Sequence, residues 1–133
     1  TEREFGDFIL KTEFRYADFT DSGIYLKGED YQINLGNSFS QRVNRTGSIY
    51  APVDGKGPYP GVAGGVTEIM NPRGWNHIRV ECRGKIVTVA LNGRSVLEYE
   101  TTRLPETGPL GIQVHSGVDM EIQFRNIRIR DLE

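Results

Sequence analysis

Trp75-Asn76-His77-Ile78-Arg79-Val80-Glu81-Cys82-Arg83-Gly84-Lys85-Ile86-Val87-Thr88-Val89-Ala90-Leu91-Asn92-Gly93 is the stretch that decides the fold. Ile78, Val80 and Cys82 alternate with His77, Arg79 and Glu81, and Trp75 joins the second set. A period of two is the signature of a half-buried strand. Past Arg83-Gly84, which reads as a turn, Val87, Val89 and Leu91 alternate with Ile86, Thr88 and Ala90. Asn92-Gly93 is a stronger hairpin signal, because both residues tolerate the left-handed backbone that a tight turn needs. It leads into a further strand from Ser95 to Tyr99. The core of the chain is therefore an antiparallel meander.

The same alternation extends in both directions. Phe8, Leu10 and Phe14 face one way and Lys11, Glu13 and Arg15 the other. After the turn residues Asp21-Ser22-Gly23, Ile24 and Leu26 read as inward, Tyr25 and Lys27 as outward. In Tyr31–Leu35, Ile33 and Leu35 read as inward and Gln32 and Asn34 as outward. Ser48-Ile49-Tyr50 is a short strand, and Leu110, Ile112 and Val114 point inward against Gln113 and His115. In the last strand, Ile122 and Phe124 have even parity whereas Ile127 and Ile129 have odd parity. That switch predicts a β-bulge at Arg125-Asn126. Residues 51–72 are rich in Gly and Pro, lack any period, and form an irregular loop of a length that is more often functional than decorative.

Composition agrees with an all-β chain. In 133 residues, Val, Ile and Thr total 30 against 4 Ala, and Gly numbers 16. This balance favours pleated sheet and turns over helix. Nothing approaches the length of apolar run that crosses a bilayer as a helix. A net charge of −2 argues against a nucleic-acid or anionic-membrane partner. One Cys and two His exclude an internal disulfide and any Cys- or His-rich metal site, so neither a metal nor a cofactor is expected. No nucleophile elbow, phosphate loop or zinc-binding helix motif is present. The Glu-x-Asp-x-x-Glu strand motif of many sandwich glucanases is also missing, which argues against a direct two-carboxylate glycosidase.

The outward positions carry a particular chemistry. Tyr25, Lys27, Gln32, Asn34, Ser48, Tyr50, Gln113 and His115, with Glu13, combine amides and charged groups with aromatic rings. Amides and charges pair with hydroxyls, and Tyr rings stack on the C–H faces of sugars. The plainer alternative is an ordinary solvated sheet face. Trp75 reads as a core or edge anchor, Cys82 as buried packing, and Arg125, Arg128 and Arg130 as a solvated terminal face.

Several blocks together resemble a known family. They are Phe5-Gly6-Asp7-Phe8-Ile9-Leu10-Lys11-Thr12-Glu13-Phe14-Arg15, Ser22–Gly28, Thr46–Tyr50, Trp75–Val80, Leu91-Asn92-Gly93, Gly108–His115 and the closing Phe124-Arg125-Asn126-Ile127-Arg128-Ile129-Arg130. Their order and spacing over nearly the whole chain resemble the 3-keto-disaccharide hydrolase family. The resemblance implies a concanavalin-like jelly-roll β-sandwich of two antiparallel sheets, residues 1–133 forming one domain. It also implies a periplasmic or extracellular protein acting on a di- or oligosaccharide. Family members carry further N-terminal strands that this sequence does not include. The expectation is an unpaired edge covered by the 51–72 loop, by a second copy or by a partner chain. Where relatives read Tyr-Glu-apolar-Gln, this chain reads Tyr31-Gln32-Ile33-Asn34.

The implied chemistry is abstraction of the proton next to the keto group, followed by loss of the glycosidic oxygen. Such a site needs a base, an electrophile and hydroxyl-holding groups. His115 is the expected base and Lys27 the expected electrophile. Tyr25, Gln32, Asn34, Tyr50 and Gln113 are the expected substrate-binding groups, and Glu13 is expected to hold Lys27. Gln32 in place of the family Glu favours the alternative, a carbohydrate-binding module without turnover.

Overall fold

A computed structural model describes residues 1–16, 19–37, 43–114 and 121–132. Among these residues, ten strands make two five-stranded antiparallel sheets. They are β1 (Glu4–Phe5), β2 (Phe8–Tyr16), β3 (Asp21–Leu26), β4 (Gln32–Gly36), β5 (Ile49–Tyr50), β6 (Asn76–Arg83), β7 (Ile86–Leu91), β8 (Arg94–Glu100), β9 (Gly108–Val114) and β10 (Ile122–Asp131). The first sheet runs β1-β9-β3-β4-β5 and the second β10-β2-β6-β7-β8. The chain is a β-sandwich of the jelly-roll kind, with one turn of helix at Val66–Ile69.

Alternation explains the layers. Ile24, Leu26, Ile33, Leu35 and Ile49 from the first sheet meet Phe8, Leu10, Phe14, Ile78, Val80 and Val89 from the second, all 5% exposed or less. Apolar side chains on the facing sides leave water together, which is the main stabilising term of such a sandwich. The expected bulge is present: the β10–β2 register shifts between Arg125 and Arg128, and Asn126 takes the left-handed conformation at φ 56°. The shift lets Phe124 and Ile129 both pack on the core. Cys82 lies within that core, and burial pushes its thiol pKa up to about 12 against the opposing pull of the Lys27 charge.

Ile112 pairs with Ile24 and therefore points between the sheets, yet it stays 44% exposed. There the sandwich is open. An apolar cleft of about 260 Å³ separates β9 from β10, lined by Leu10, Leu110, Ile112, Phe124, Ile127 and Ile129. The 51–72 loop covers a different edge. It bridges Ile49 to Gly61 beside β5, and the Gly64 N–H donates to the Val96 carbonyl on β8.

One carboxylate latches that loop. Asp54 accepts hydrogen bonds from the hydroxyls of Tyr31, of Tyr99 (2.6 Å) and of Thr102 (2.6 Å). Burial alone would raise its pKa, but the hydrogen bonds from Thr102, Tyr31 and Tyr99 outweigh burial and hold it below its usual 3.8. A folded-state pKa below the unfolded value gives stability that is present above 3.8 and lost as pH falls through the lower folded value. Asp54→Asn should therefore cost about 1–2 kcal/mol at neutral pH, solvent on its open side reducing the effect of charged hydrogen bonds. Urea unfolding at neutral pH and again near pH 3 checks this. The gap between wild type and variant should shrink in acid.

Candidate functional site

The outer face of the first sheet is organised by two rows of paired residues. Gly111, Tyr25, Gln32 and Tyr50 lie side by side across β9, β3, β4 and β5. One step along, Gln113, Gly23 and Asn34 form the second row. Neighbours in a row are about 4.8 Å apart. The glycines decide where the longer side chains rest. A Cβ at position 23 would collide with the Gln32 side chain, so Gln32 lies across Gly23. A Cβ at position 111 would sit 3.6 Å from Tyr25 Cδ2, so the Tyr25 ring leans towards Gly111.

This arrangement buries what alternation alone expects to be exposed. Gln32 is 5% and Asn34 1% accessible, while Tyr50 remains 36% exposed. Asn34 is fully engaged: its Nδ2 donates to the Gly36 carbonyl at 2.9 Å, and Tyr59 donates to its Oδ1 at 3.3 Å. Gln32 and Gln113 are not. The Oε1 atoms of both are buried and have no hydrogen-bond partner. Leaving such an acceptor unpaired costs about 1–3 kcal/mol. The two are carried by neighbouring rows on either side of Gly23.

An aromatic wall borders the amides. Tyr50 and Tyr59 meet edge to face with centroids 5.3 Å apart. Tyr59 comes from the irregular loop, and alternation could not have found it. The only available signal was the length of that loop. Tyr25 closes the other end, its pKa raised first by burial and then by the nearby Glu29 charge. Ser48, also expected on this face, is fully buried and accepts the Ala63 N–H at 2.9 Å, so it anchors the loop instead.

Three expected members stand apart. Glu13 is on β2, in the second sheet, and faces the opposite surface of the molecule. Its carboxylate accepts from Arg125 (2.8 Å) and Asn126 (2.7 Å), and those hydrogen bonds hold its pKa below the usual value. It does not pair with Lys27. Lys27 follows the last residue of β3 and adopts φ 58°, which turns its side chain away from the outer face. It is 4% exposed, and its Nζ donates to the Glu106 carbonyl at 3.2 Å. His115 lies outside the described residues. Among the described residues, no group of three or more His, Cys, Asp or Glu side chains is placed to hold a metal ion.

A jelly-roll β-sandwich of this kind is a form shared by glycoside hydrolase-like and carbohydrate-binding domains. Residues 1–130 match the 3-keto-α-glucoside-1,2-lyase-like domain family, and the chain belongs to that family. Two proteins from Parabacteroides distasonis, each named "putative glycosyl hydrolase", have similar crystal structures. One is 24% identical with a TM-score of 0.75, matched over 99% of this chain and 81% of its own. The other is 21% identical with a TM-score of 0.72, over 100% of this chain and 73% of its own. The carbohydrate-binding module CBM66 from Bacillus subtilis shares the fold at 13% identity and a TM-score of 0.63, over 97% and 78% of the two chains. No curated protein matches.

Because Gln32 carries a buried unpaired acceptor, its amide is a stability defect in the unliganded protein. Gln32→Met keeps the length and removes the acceptor. We expect its thermal midpoint to equal or exceed that of wild type, whereas a structurally required amide would leave the variant less stable by ~1 kcal/mol or more.

Proposed function

We propose that the Tyr25–Gln32–Tyr50 face binds a 3-keto-disaccharide or related glycoside, and that the chain cleaves it by elimination. The observation that carries this reading is the pair of buried, unpartnered Oε1 atoms of Gln32 and Gln113 on the same sheet face as the exposed Tyr50 ring. Two such acceptors call for donors that are neutral, close together and brought by a ligand. Sugar hydroxyls meet those terms. Tyr50 and Tyr59 would offer their rings to the C–H faces of the sugar.

Cleavage requires more than this. In a 3-keto sugar the C2–H is acidified by the adjacent carbonyl. A base takes that proton, the electrons form an enolate, and the glycosidic oxygen leaves from C1 as the double bond moves. Water can then add back to complete a net hydrolysis. His115 is the proposed base, because it brings an imidazole within two residues of Gln113 in the sequence. Histidine is the side chain whose ordinary pKa lies closest to physiological pH, which suits it to proton abstraction. The Gln113 and Gln32 amides would hold the hydroxyls. Lys27 has no part in this reading, since its ammonium is engaged by the Glu106 carbonyl. The second reading, saccharide binding without turnover, is favoured by Gln32 itself, an amide where the family resemblance implies an acid.

Incubation with a 3-keto-disaccharide beside its unoxidised parent separates the two. Turnover predicts loss of the oxidised substrate alone, with His115→Gln about 10²–10⁴-fold slower and binding nearly unchanged. Turnover should also decline as pH falls through the histidine pKa, because protonation removes the base. Binding of both sugars without products establishes the second reading. Failure to bind either sugar, together with an unaltered Tyr50→Ala variant, rejects the site.

A further inference from the structure

The outer face of the second sheet is polarised in charge although the chain as a whole carries −2. Arg128, Lys11 and Arg79 stand side by side across β10, β2 and β6. Arg130 and Arg15 lie on the same face along β10 and β2. Among the described residues, Lys11, Arg15, Arg128 and Arg130 form no ion pair. Glu81 and Glu13 on this face are already engaged, Glu81 by Arg79 and Arg83 and Glu13 by Arg125 and Asn126, while the exposed Glu121 lies beside Arg15 at one end of the band. A shallow pocket of about 150 Å³ opens between Lys11, His77, Asn126 and Arg128 beside Glu13. The acidic Glu98 and Glu100 are confined to β8, two strands beyond β6.

We infer that this face binds a single chain of a carboxylated polysaccharide, a polymer of uronic acids, laid along the β10–β2–β6 band. The width of the band selects the polymer. Three strands span about 10 Å, and the acids of β8 bound them on one side. A lone polymer chain fits within that strip. A nucleic-acid duplex or a membrane plane is broader and would bring its phosphates against Glu98 and Glu100. Single-stranded nucleic acid needs a free aromatic platform for its bases. Trp75 cannot serve, because Arg125 covers its ring at 3.9 Å and Arg15 lies at 4.9 Å. The guanidinium forks of Arg128 and Arg130, which form no ion pair among the described residues, suit planar carboxylates, which they can grip with two parallel hydrogen bonds. This inference uses neither Gln32 nor Gln113 and stands apart from the proposed keto-sugar site.

Binding of polygalacturonate to the full chain, measured by calorimetry beside its fully methyl-esterified form, tests it. The charged polymer should bind in 50 mM salt and the ester should not. Affinity should fall by about tenfold or more by 200 mM salt, as expected when several fixed charges are neutralised together. Lys11→Glu with Arg128→Glu should weaken binding at least tenfold, and the milder Lys11→Gln with Arg128→Gln by less, with circular dichroism unchanged. Tyr50→Ala, on the opposite sheet, should bind polygalacturonate as wild type does. Equal binding of the ester, wild-type affinity in the double charge reversal, or tighter binding of duplex DNA or phosphatidylglycerol vesicles at the same salt would each overturn the inference.

Discussion

The pairing that sets Gly23 between Asn34 and Gln113 governs the first sheet and everything built on its outer face. A missing side chain at the centre of the sheet leaves a hollow, and Gln32 reclines into it. Its amide oxygen becomes buried without a partner, as does that of Gln113. Any larger residue at position 23 would lift Gln32 off the sheet. A slip of one residue in the β3–β4 register would send Gln32 and Asn34 into the core and bring Ile33 out. The polar face and the hydrophobic core therefore depend on the same ladder of backbone hydrogen bonds.

The rest of the molecule holds that ladder in place. The second sheet supplies the opposing apolar layer, and the Asp54 latch ties the long loop to Tyr31 at the head of β4 and to Tyr99 on β8. The loop in turn delivers Tyr59 to the amide rows. A partly exposed acid held by three hydroxyls thus supports, at one remove, the aromatic wall beside the amide rows. The unpaired amides run the other way. Each buried Oε1 without a partner lowers the stability of the fold, a cost that the proposed ligand's donors would relieve.

Much of the architecture was legible in the sequence because strand alternation reports burial directly. Ile24, Ile33, Ile78 and Val80 fell where their parity put them, and the parity switch in β10 located the bulge at Asn126. Parity cannot say which sheet a strand joins. Glu13 and Tyr25 both read as outward, and they are, but on opposite surfaces. Parity also fails once a strand ends. Lys27 lies one residue past Leu26 in a left-handed turn, and its ammonium goes to the Glu106 carbonyl. Exposure was the third limit. Alternation marked Gln32 and Asn34 as surface residues, whereas a neighbouring glycine and a tyrosine from a distant loop bury them. The net charge likewise concealed how far positive side chains gather on one face.

The most direct test is nuclear magnetic resonance of the side-chain amides of Gln32 and Gln113 during titration with a 3-keto-disaccharide. The account predicts that these two amide groups shift together, along one saturating curve, while the Asn126 amide on the opposite sheet stays still. Saturable binding that leaves both glutamine amides unmoved would contradict it.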